Sequence, residues 1–440
     1  MPFNDSIWNK IELDSIQKIQ EDAETVISNQ ISYVFERSRF YREKCFSFLN
    51  EKPPYTMDSL VSLPFTEKKE LLEDQEKYPP YGSNLCVDTN DICRIHRTSG
   101  TTGKPLILAY TLQDTEHTHE TGARCFWSSG VRPEHAVVHC LNFCMWAGGV
   151  SDYLSIEKTG ATVIPFGVGN SRELIEIILQ LRPQAIHCTP SYLSRLEKIL
   201  KDDFGLKPEQ AGLSLGLFGA EGGLDDQNFR RTIEKKWNMK AMNANYGLSD
   251  ALSMFGAECI EQNGLHFMGQ SVVYPEIIDP ENGKSMPFKE GTKGELVLTN
   301  LQKKAQPLLR YRTRDIISIL GTGLCGCGRR GFRFNVIGRS DDMIDVKGIN
   351  VFPGSISAVI NSRMDLFTGE FQILISRENP VEQMLIEIEL LPNIQVKEEI
   401  EPEMTREMAS KLAVKPELKL VPFGSIPQTE GKSKRIKRAL

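Results

Sequence analysis

Thr98-Ser99-Gly100-Thr101-Thr102-Gly103-Lys104-Pro105 stands between two apolar, β-branched runs, and its reading decides how the rest of the chain is understood. Glycines let backbone N–H groups approach a polyphosphate, four hydroxyls supply hydrogen bonds, and Lys104 adds positive charge. A P-loop needs a glycine five positions before its Gly-Lys pair and Ser or Thr after it; this chain has Thr98 and Pro105 there. Leu106-Ile107-Leu108-Ala109-Tyr110 follows as a strand-like run with no helix N-cap, so the loop is expected to join strand to strand. A polar hairpin tip without a ligand is the plain alternative, but three Thr, one Ser and two Gly in six residues exceed what a turn requires.

The 440 residues are 40% hydrophobic and 25% charged, the balance of a folded chain too long for one simple core, so about two or three domains are expected. A net charge of −6 gives no broad electrostatic reason to bind nucleic acid or an anionic membrane, and small-molecule chemistry is favoured. No run of about 18 apolar residues occurs, and Met1-Pro2-Phe3-Asn4-Asp5 has no basic region leading into an apolar stretch; a cytoplasmic location is expected. Ten cysteines are few for a disulfide scaffold of this length, and Cys140, Cys144 and Cys188 lie singly in apolar surroundings, so reduced thiols are expected.

Ile16, Ile19, Ala23, Ile27, Ile31 and Val34 recur at steps of three or four and predict a helical, packing or substrate-wall segment at the start. From about residue 92 to 300, short apolar runs such as 136–138 and 161–164 alternate with helical stretches such as 173–182. That pattern predicts an α/β fold with a parallel sheet and ligands at the strand ends. At Gly338-Arg339-Ser340-Asp341-Asp342-Met343-Ile344 a charged connector leads into a last stretch with its own alternation, which divides the chain into 1–338 and 339–440.

Four further constellations accompany the loop. Tyr246-Gly247-Leu248-Ser249-Asp250 gathers an aromatic ring, small backbone and a carboxylate in one turn. Tyr311-Arg312-Thr313-Arg314-Asp315 offers an acceptor suited to ribose hydroxyls beside two guanidinium groups. Gly219-Ala220-Glu221-Gly222-Gly223 is a turn where backbone can lie close to a flat base, and Gly431-Lys432-Ser433-Lys434-Arg435 carries a lysine far from everything else in sequence. Singly, each has a plain alternative: a buried Tyr in a turn, an Asp–Arg surface pair, an ordinary glycine turn, a solvated basic tail.

In this order, and with Thr189-Pro190-Ser191-Tyr192, Gly338-Arg339-Ser340-Asp341-Asp342-Met343 and Gly348-Ile349-Asn350-Val351-Phe352-Pro353, the set closely resembles the adenylate-forming enzymes, and within them the phenylacetate-CoA ligase family. The resemblance covers nearly the whole chain beyond about residue 90. It implies a large N-terminal domain of strand-helix units and a small, mobile C-terminal α+β domain. It also implies a reaction in which a carboxylate attacks the α-phosphorus of ATP, giving acyl-AMP and pyrophosphate, before coenzyme A takes the acyl group. On this resemblance Ser99, Gly100, Thr101, Thr102, Gly103 and Lys104 hold the leaving phosphates with Mg²⁺, and Lys432 stabilises the adenylation transition state. Asp315 binds the ribose, Arg339 approaches ribose or phosphate, Tyr246 in its Gly247-Leu248-Ser249 turn stacks on adenine, Glu221 lies beside it, and Asp341 is the hinge. Members are often homodimers.

Two departures stand out. Asp250 replaces the Glu usual for the Mg²⁺-linked carboxylate and is one methylene shorter, and Gly222-Gly223 replaces Pro and Trp. An acid pocket without that aromatic wall need not prefer phenylacetate, so transfer of the acyl group to a carrier-protein thiol or an amine, or a non-catalytic nucleotide-binding role, stays open. The run 142–149 is a candidate pocket wall, with plain core as its alternative. The basic run Lys432, Lys434, Arg435, Lys437, Arg438 reads either as an attraction for coenzyme A phosphates or as a solvated tail.

Cys325-Gly326-Cys327-Gly328 is a tight thiolate pair, and Cys259 with His266 would complete a Cys₃His tetrahedron. Spacing alone leaves an incidental cluster open; the family carries structural zinc at matching positions, which implies a structural Zn²⁺ here with no open position for water.

Overall fold

In the computed structural model the described residues are 2–48, 53–98, 104–347, 349–363, 366–375, 381, 384–392, 394, 399–426 and 435–438. Ser99 to Gly103 and Lys432 lie outside them.

The chain opens with helices α1 (Ile16–Arg37), α2 (Arg39–Lys44), α3 (Met57–Ser62) and α4 (Lys68–Lys77). Ser15 caps α1 by accepting a hydrogen bond from Lys18 N, and the helix buries Ile19, Ala23, Ile27, Ile31 and Val34, the stripe its spacing predicts. Strands β1 (Arg94–Arg97) and β2 (Ile107–Tyr110) pair antiparallel with Arg94 opposite Tyr110, so the glycine- and hydroxyl-rich segment does join strand to strand.

Strict alternation follows: α5 (Leu112–Ser128), β3 (Ala136–His139), α6 (Ala147–Lys158), β4 (Thr162–Pro165), α7 (Ser171–Leu181), β5 (Ala185–Cys188), α8 (Tyr192–Phe204), β6 (Leu215–Gly219), α9 (Gln227–Trp237) and β7 (Lys240–Leu248). The strands pair in parallel in the order β4-β3-β5-β6-β7. Side chains alternate between faces along a strand, so Val138 and Ile186 pack against α7 and α8 while Val137 and Ala185 pack against α5 and α6. Both faces are covered, which is why these strands read as short apolar runs.

The alternation ends at β7 rather than near residue 300. Beyond it β8 (Leu252–Ala257), β9 (Leu265–Phe267), β10 (Val273–Ile278), β11 (Ser285–Met286), β12 (Lys293–Asn300), β13 (Tyr311–Gly321) and β14 (Arg333–Arg339) pair antiparallel and extend the same sheet to twelve strands among the described residues. Connections such as Asn263-Gly264 and Asp279-Pro280-Glu281-Asn282-Gly283 are turn-forming and too short for the helical crossover that parallel pairing requires. β7 is therefore a seam, parallel to β6 and antiparallel to β8.

The last part contains β15 (Ile344–Val346), β16 (Ile349–Val351), α10 (Pro353–Asn361), β17 (Phe367–Ile375), β18 (Met384–Leu390), α11 (Ile400–Leu412), β19 (Glu417–Val421) and β20 (Ile436–Arg438). It has a four-stranded sheet ordered β19-β18-β17-β20 and a core of its own, an α+β unit. The division drawn after residue 338 falls at the end of β14, and the smaller core begins at Ile344. Among the described residues no helix is long and apolar enough to cross a membrane. All ten cysteines are free, though Cys144 is exposed rather than packed in apolar surroundings.

Candidate active site

Antiparallel register sets Asp315 of β13 opposite Arg339 of β14. Arg339 Nη1 donates to Asp315 Oδ1 at 3.2 Å, and its other nitrogens grip Asp341 at 2.9 Å each. Burial works against the Arg339 charge, but hydrogen bonding to Asp341 and the charges of Asp315, Asp341 and Asp342 outweigh it and raise the guanidinium above its usual range. Tyr246, near the end of β7, donates its hydroxyl to Asp315 Oδ2 at 2.8 Å. Burial first, then Asp315, pushes that hydroxyl far up, so it remains a donor. Its ring lies edge-on to Phe255 and Phe334, with centroids 5.1 and 5.5 Å away. The neighbouring Gly247 has no room for a side chain, because a Cβ there would sit 2.2 Å from the Ser253 carbonyl oxygen. Thus Tyr246, Asp315 and Arg339, separate in sequence, form one hydrogen-bonded group.

Asp250 follows β7 and is buried. Its Oδ2 accepts the Tyr311 hydroxyl at 2.5 Å and lies 3.3 Å from Lys68 Nζ, at the start of α4. The turn itself is braced: Tyr110 donates its hydroxyl to Ser249 O at 2.7 Å, and Lys303 Nζ donates to Asp250 O at 2.7 Å. The Lys303 ammonium also lies 5.1 Å from the centre of the Tyr110 ring. Burial pushes Lys303 down to about 8, against the charges of Asp114 and Asp250. Lys68, Lys303 and Tyr110 were not singled out from sequence. Lys68 and Lys303 each stand beside a second lysine, Lys69 or Lys304, and only the tertiary fold brings them to Asp250.

Glu221 follows β6 and meets the Thr189-Pro190-Ser191-Tyr192 motif: Ser191 Oγ donates to Oε1 at 3.0 Å and Ser191 N to Oε2 at 3.3 Å. Protein encloses the carboxyl enough for burial to raise it although its outer edge is open to solvent; the Ser191 bonds and the charge of Arg435 work against that rise. Lys104 pairs with Glu76 at 2.9 Å and is 78% exposed, a surface pair worth little.

The second predicted cluster also assembles. Cys259 follows β8, His266 lies in β9, and Cys325 and Cys327 occupy the β13–β14 connection; the pairing of β9 with β14 brings them together. Cys259 Sγ and Cys325 Sγ are 3.8 Å apart, Cys327 Sγ and His266 Nε2 are 3.6 Å apart, and all four donor atoms lie within 4.8 Å of one another. An edge of about 3.8 Å is that of a tetrahedron with corners ~2.3 Å from its centre, so the donors fit Zn²⁺.

Residues 16–302 match the family model described as AMP-binding enzyme, and residues 348–438 match that described as AMP-binding enzyme C-terminal domain. The phenylacetate-coenzyme A ligase of Thermus thermophilus is 31% identical over 377 residues, 85% of this chain and 82% of that protein. That of Aromatoleum evansii is 30% identical over 97% of this chain and 96% of its own. Among solved structures, 2-hydroxyisobutyryl-CoA ligase in the postadenylation state with 2-HIB-AMP superposes with a TM-score of 0.86 at 25% identity, covering 100% of this chain and 94% of that one. The same ligase with 2-HIB-AMP and CoA in the thioesterfication state gives 0.70 at 25% identity, over 99% and 96%. With both units matched and relatives aligned along nearly the whole length, the chain belongs to the AMP-binding enzyme family, alongside the phenylacetate-coenzyme A ligases.

Proposed function

We propose that this protein is an ATP-dependent acid–CoA ligase that activates an aryl or arylacetic carboxylate as acyl-AMP, releases pyrophosphate, and transfers the acyl group to coenzyme A. The observation that carries the reading is the Tyr246–Asp315–Arg339 group on the seam side of the sheet. Asp315 accepts hydrogen bonds from the ribose hydroxyls, held in orientation by Tyr246 and Arg339. Glu221, fixed by Ser191, flanks the base, and the 99–103 segment between β1 and β2 holds the phosphates. Oδ1 of Asp250 accepts no hydrogen bond among the described residues and is the atom that would hold Mg²⁺, directly or through water; Mg²⁺ supplies charge neutralisation on the phosphates. Lys432 is the cation for the adenylation transition state. In its support, Arg435, three residues on, lies close enough to Glu221 for its charge to act there. Cys259, His266, Cys325 and Cys327 would hold a structural Zn²⁺ that ties β8, β9 and the β13–β14 connection together.

The test is ATP–pyrophosphate exchange across aryl, arylacetic and short aliphatic acids, with AMP release followed with and without coenzyme A. Acid-dependent exchange and coenzyme A-dependent AMP release are expected. Exchange without discharge by coenzyme A points instead to a carrier-protein thiol or an amine, and no exchange with any acid overturns the ligase reading.

A further inference from the structure

Ser249, Asp250 and Ala251 form the hairpin loop between β7 and β8, and the backbone carbonyl of each is taken by a side chain from elsewhere in the fold. Tyr110 at the end of β2 donates its hydroxyl to Ser249 O at 2.7 Å, Lys303 Nζ donates to Asp250 O at 2.7 Å, and Asn300 Nδ2 at the end of β12 donates to Ala251 O at 3.1 Å. Loops ordinarily run over the surface and turn such carbonyls to water. Here Asp250 and Ala251 are 5% and 3% exposed, so three side chains stand in for solvent and hold the loop in place.

The donors are anchored in turn. Asn300 Oδ1 accepts from Leu308 N at 2.9 Å, and the Lys303 carbonyl accepts from Gln30 of α1 at 2.9 Å. Asp114 of α5 accepts from Lys304 N at 2.7 Å and from Ala305 N at 3.0 Å, while Gln306 accepts from Ala109 N of β2 at 2.7 Å. The connection between β12 and β13 therefore joins the Asp250 loop to β2, the strand that follows segment 99–103.

Lys303 is the costly member of this clamp. Its ammonium is buried against the Asp250 carbonyl and the Tyr110 ring, with the charges of Asp114 and Asp250 acting on it. For packing alone, an apolar side chain commonly serves as well as a buried charge or better. What the lysine adds is a strong donor at the one backbone atom next to the Asp250 side chain that it can reach.

Resting on the ligase reading, in which Asp250 carries the Mg²⁺, we propose that Lys303 is a positioning residue for adenylation: by holding the Asp250 carbonyl it fixes that residue's carboxylate relative to β2 and the phosphate segment. Lys303 acts through Asp250 and touches no reacting group itself.

The experiment compares the wild type with Lys303→Met, which keeps the length of the side chain and removes the donor. In ATP–pyrophosphate exchange, kcat is expected to fall about tenfold or more while KM for the acid moves less than about twofold. In titration calorimetry, Kd for ATP rises about tenfold with Mg²⁺ present and is unchanged in EDTA. Should Lys303→Met fail to fold, Lys303→Gln, neutral and one atom shorter, decides on the same readouts. Wild-type values of kcat and Kd, or a loss that falls equally on acid KM and on ATP binding with and without Mg²⁺, overturn the inference while leaving the ligase reading intact. Absence of acid-dependent exchange in the wild type overturns both.

Discussion

Arg339 reaches Asp315 across the β13–β14 pair and, with the same guanidinium, grips Asp341 in the connector to the smaller unit. The proposed ribose acceptor and the connector to the smaller unit are thus joined by one side chain. Asp315→Asn weakens acceptance from ribose hydroxyls and from Arg339, and is expected to raise KM for ATP about tenfold or more, read by pyrophosphate exchange at saturating acid. An unchanged KM would remove Asp315 from the ribose site.

Asp250 and Tyr311 depend on each other, because the buried hydroxyl has the carboxylate as its acceptor at 2.5 Å. Asp250→Ala should cost about 1–3 kcal/mol in denaturant unfolding and slow exchange by about a hundredfold. Adding Tyr311→Phe removes the orphaned donor. It should recover part of the stability and none of the rate, and recovery of the rate would show that Asp250 only supports packing.

Cys259→Ser is expected to lose bound zinc and lower Tm by on the order of 5 °C or more, with chelation of the unaltered protein doing the same. Elemental analysis of folded, chelator-washed protein is the check, and a metal-free protein of undiminished Tm contradicts the staple.

His119 on α5 is held down to about 4 by burial and by Arg94, whose guanidinium stands 3.2 Å from Nε2. Its folded value lies below the unfolded 6.5, so between about pH 6.5 and 4 the unfolded chain binds more protons and stability is lost as the pH is lowered. His119→Gln should therefore gain on the wild type as pH drops through that window. Parallel Tm curves from pH 7 to 4.5 would refute it.

Lys432→Ala should slow adenylation by about 10²–10³-fold while coenzyme A still discharges supplied acyl-AMP. Equal loss in both half-reactions would mean a general structural role.

Motifs whose residues meet through strand register were legible: Asp315 with Arg339, and the Cys259, His266, Cys325, Cys327 cluster, needed only the right chemistry at each position. The helical stripe of α1 was equally plain, because one face of a helix repeats in sequence. The antiparallel half beyond β7 was not, since buried strands in either orientation show the same short apolar runs and only connection length separates them. Lys303 and Lys68 were missed because a lysine beside a second lysine gives no sign of which one turns inward. His139 and His187 lie 48 positions apart within apolar runs, and no local pattern announces a pair created by adjacent strands.

Among the described residues, the core of the smaller unit shares no side chain with the cores of the larger one. A recombination joint between Ser340 and Ile344 accordingly cuts through neither core. Each unit keeps its own core and can be exchanged or engineered as a separate cassette.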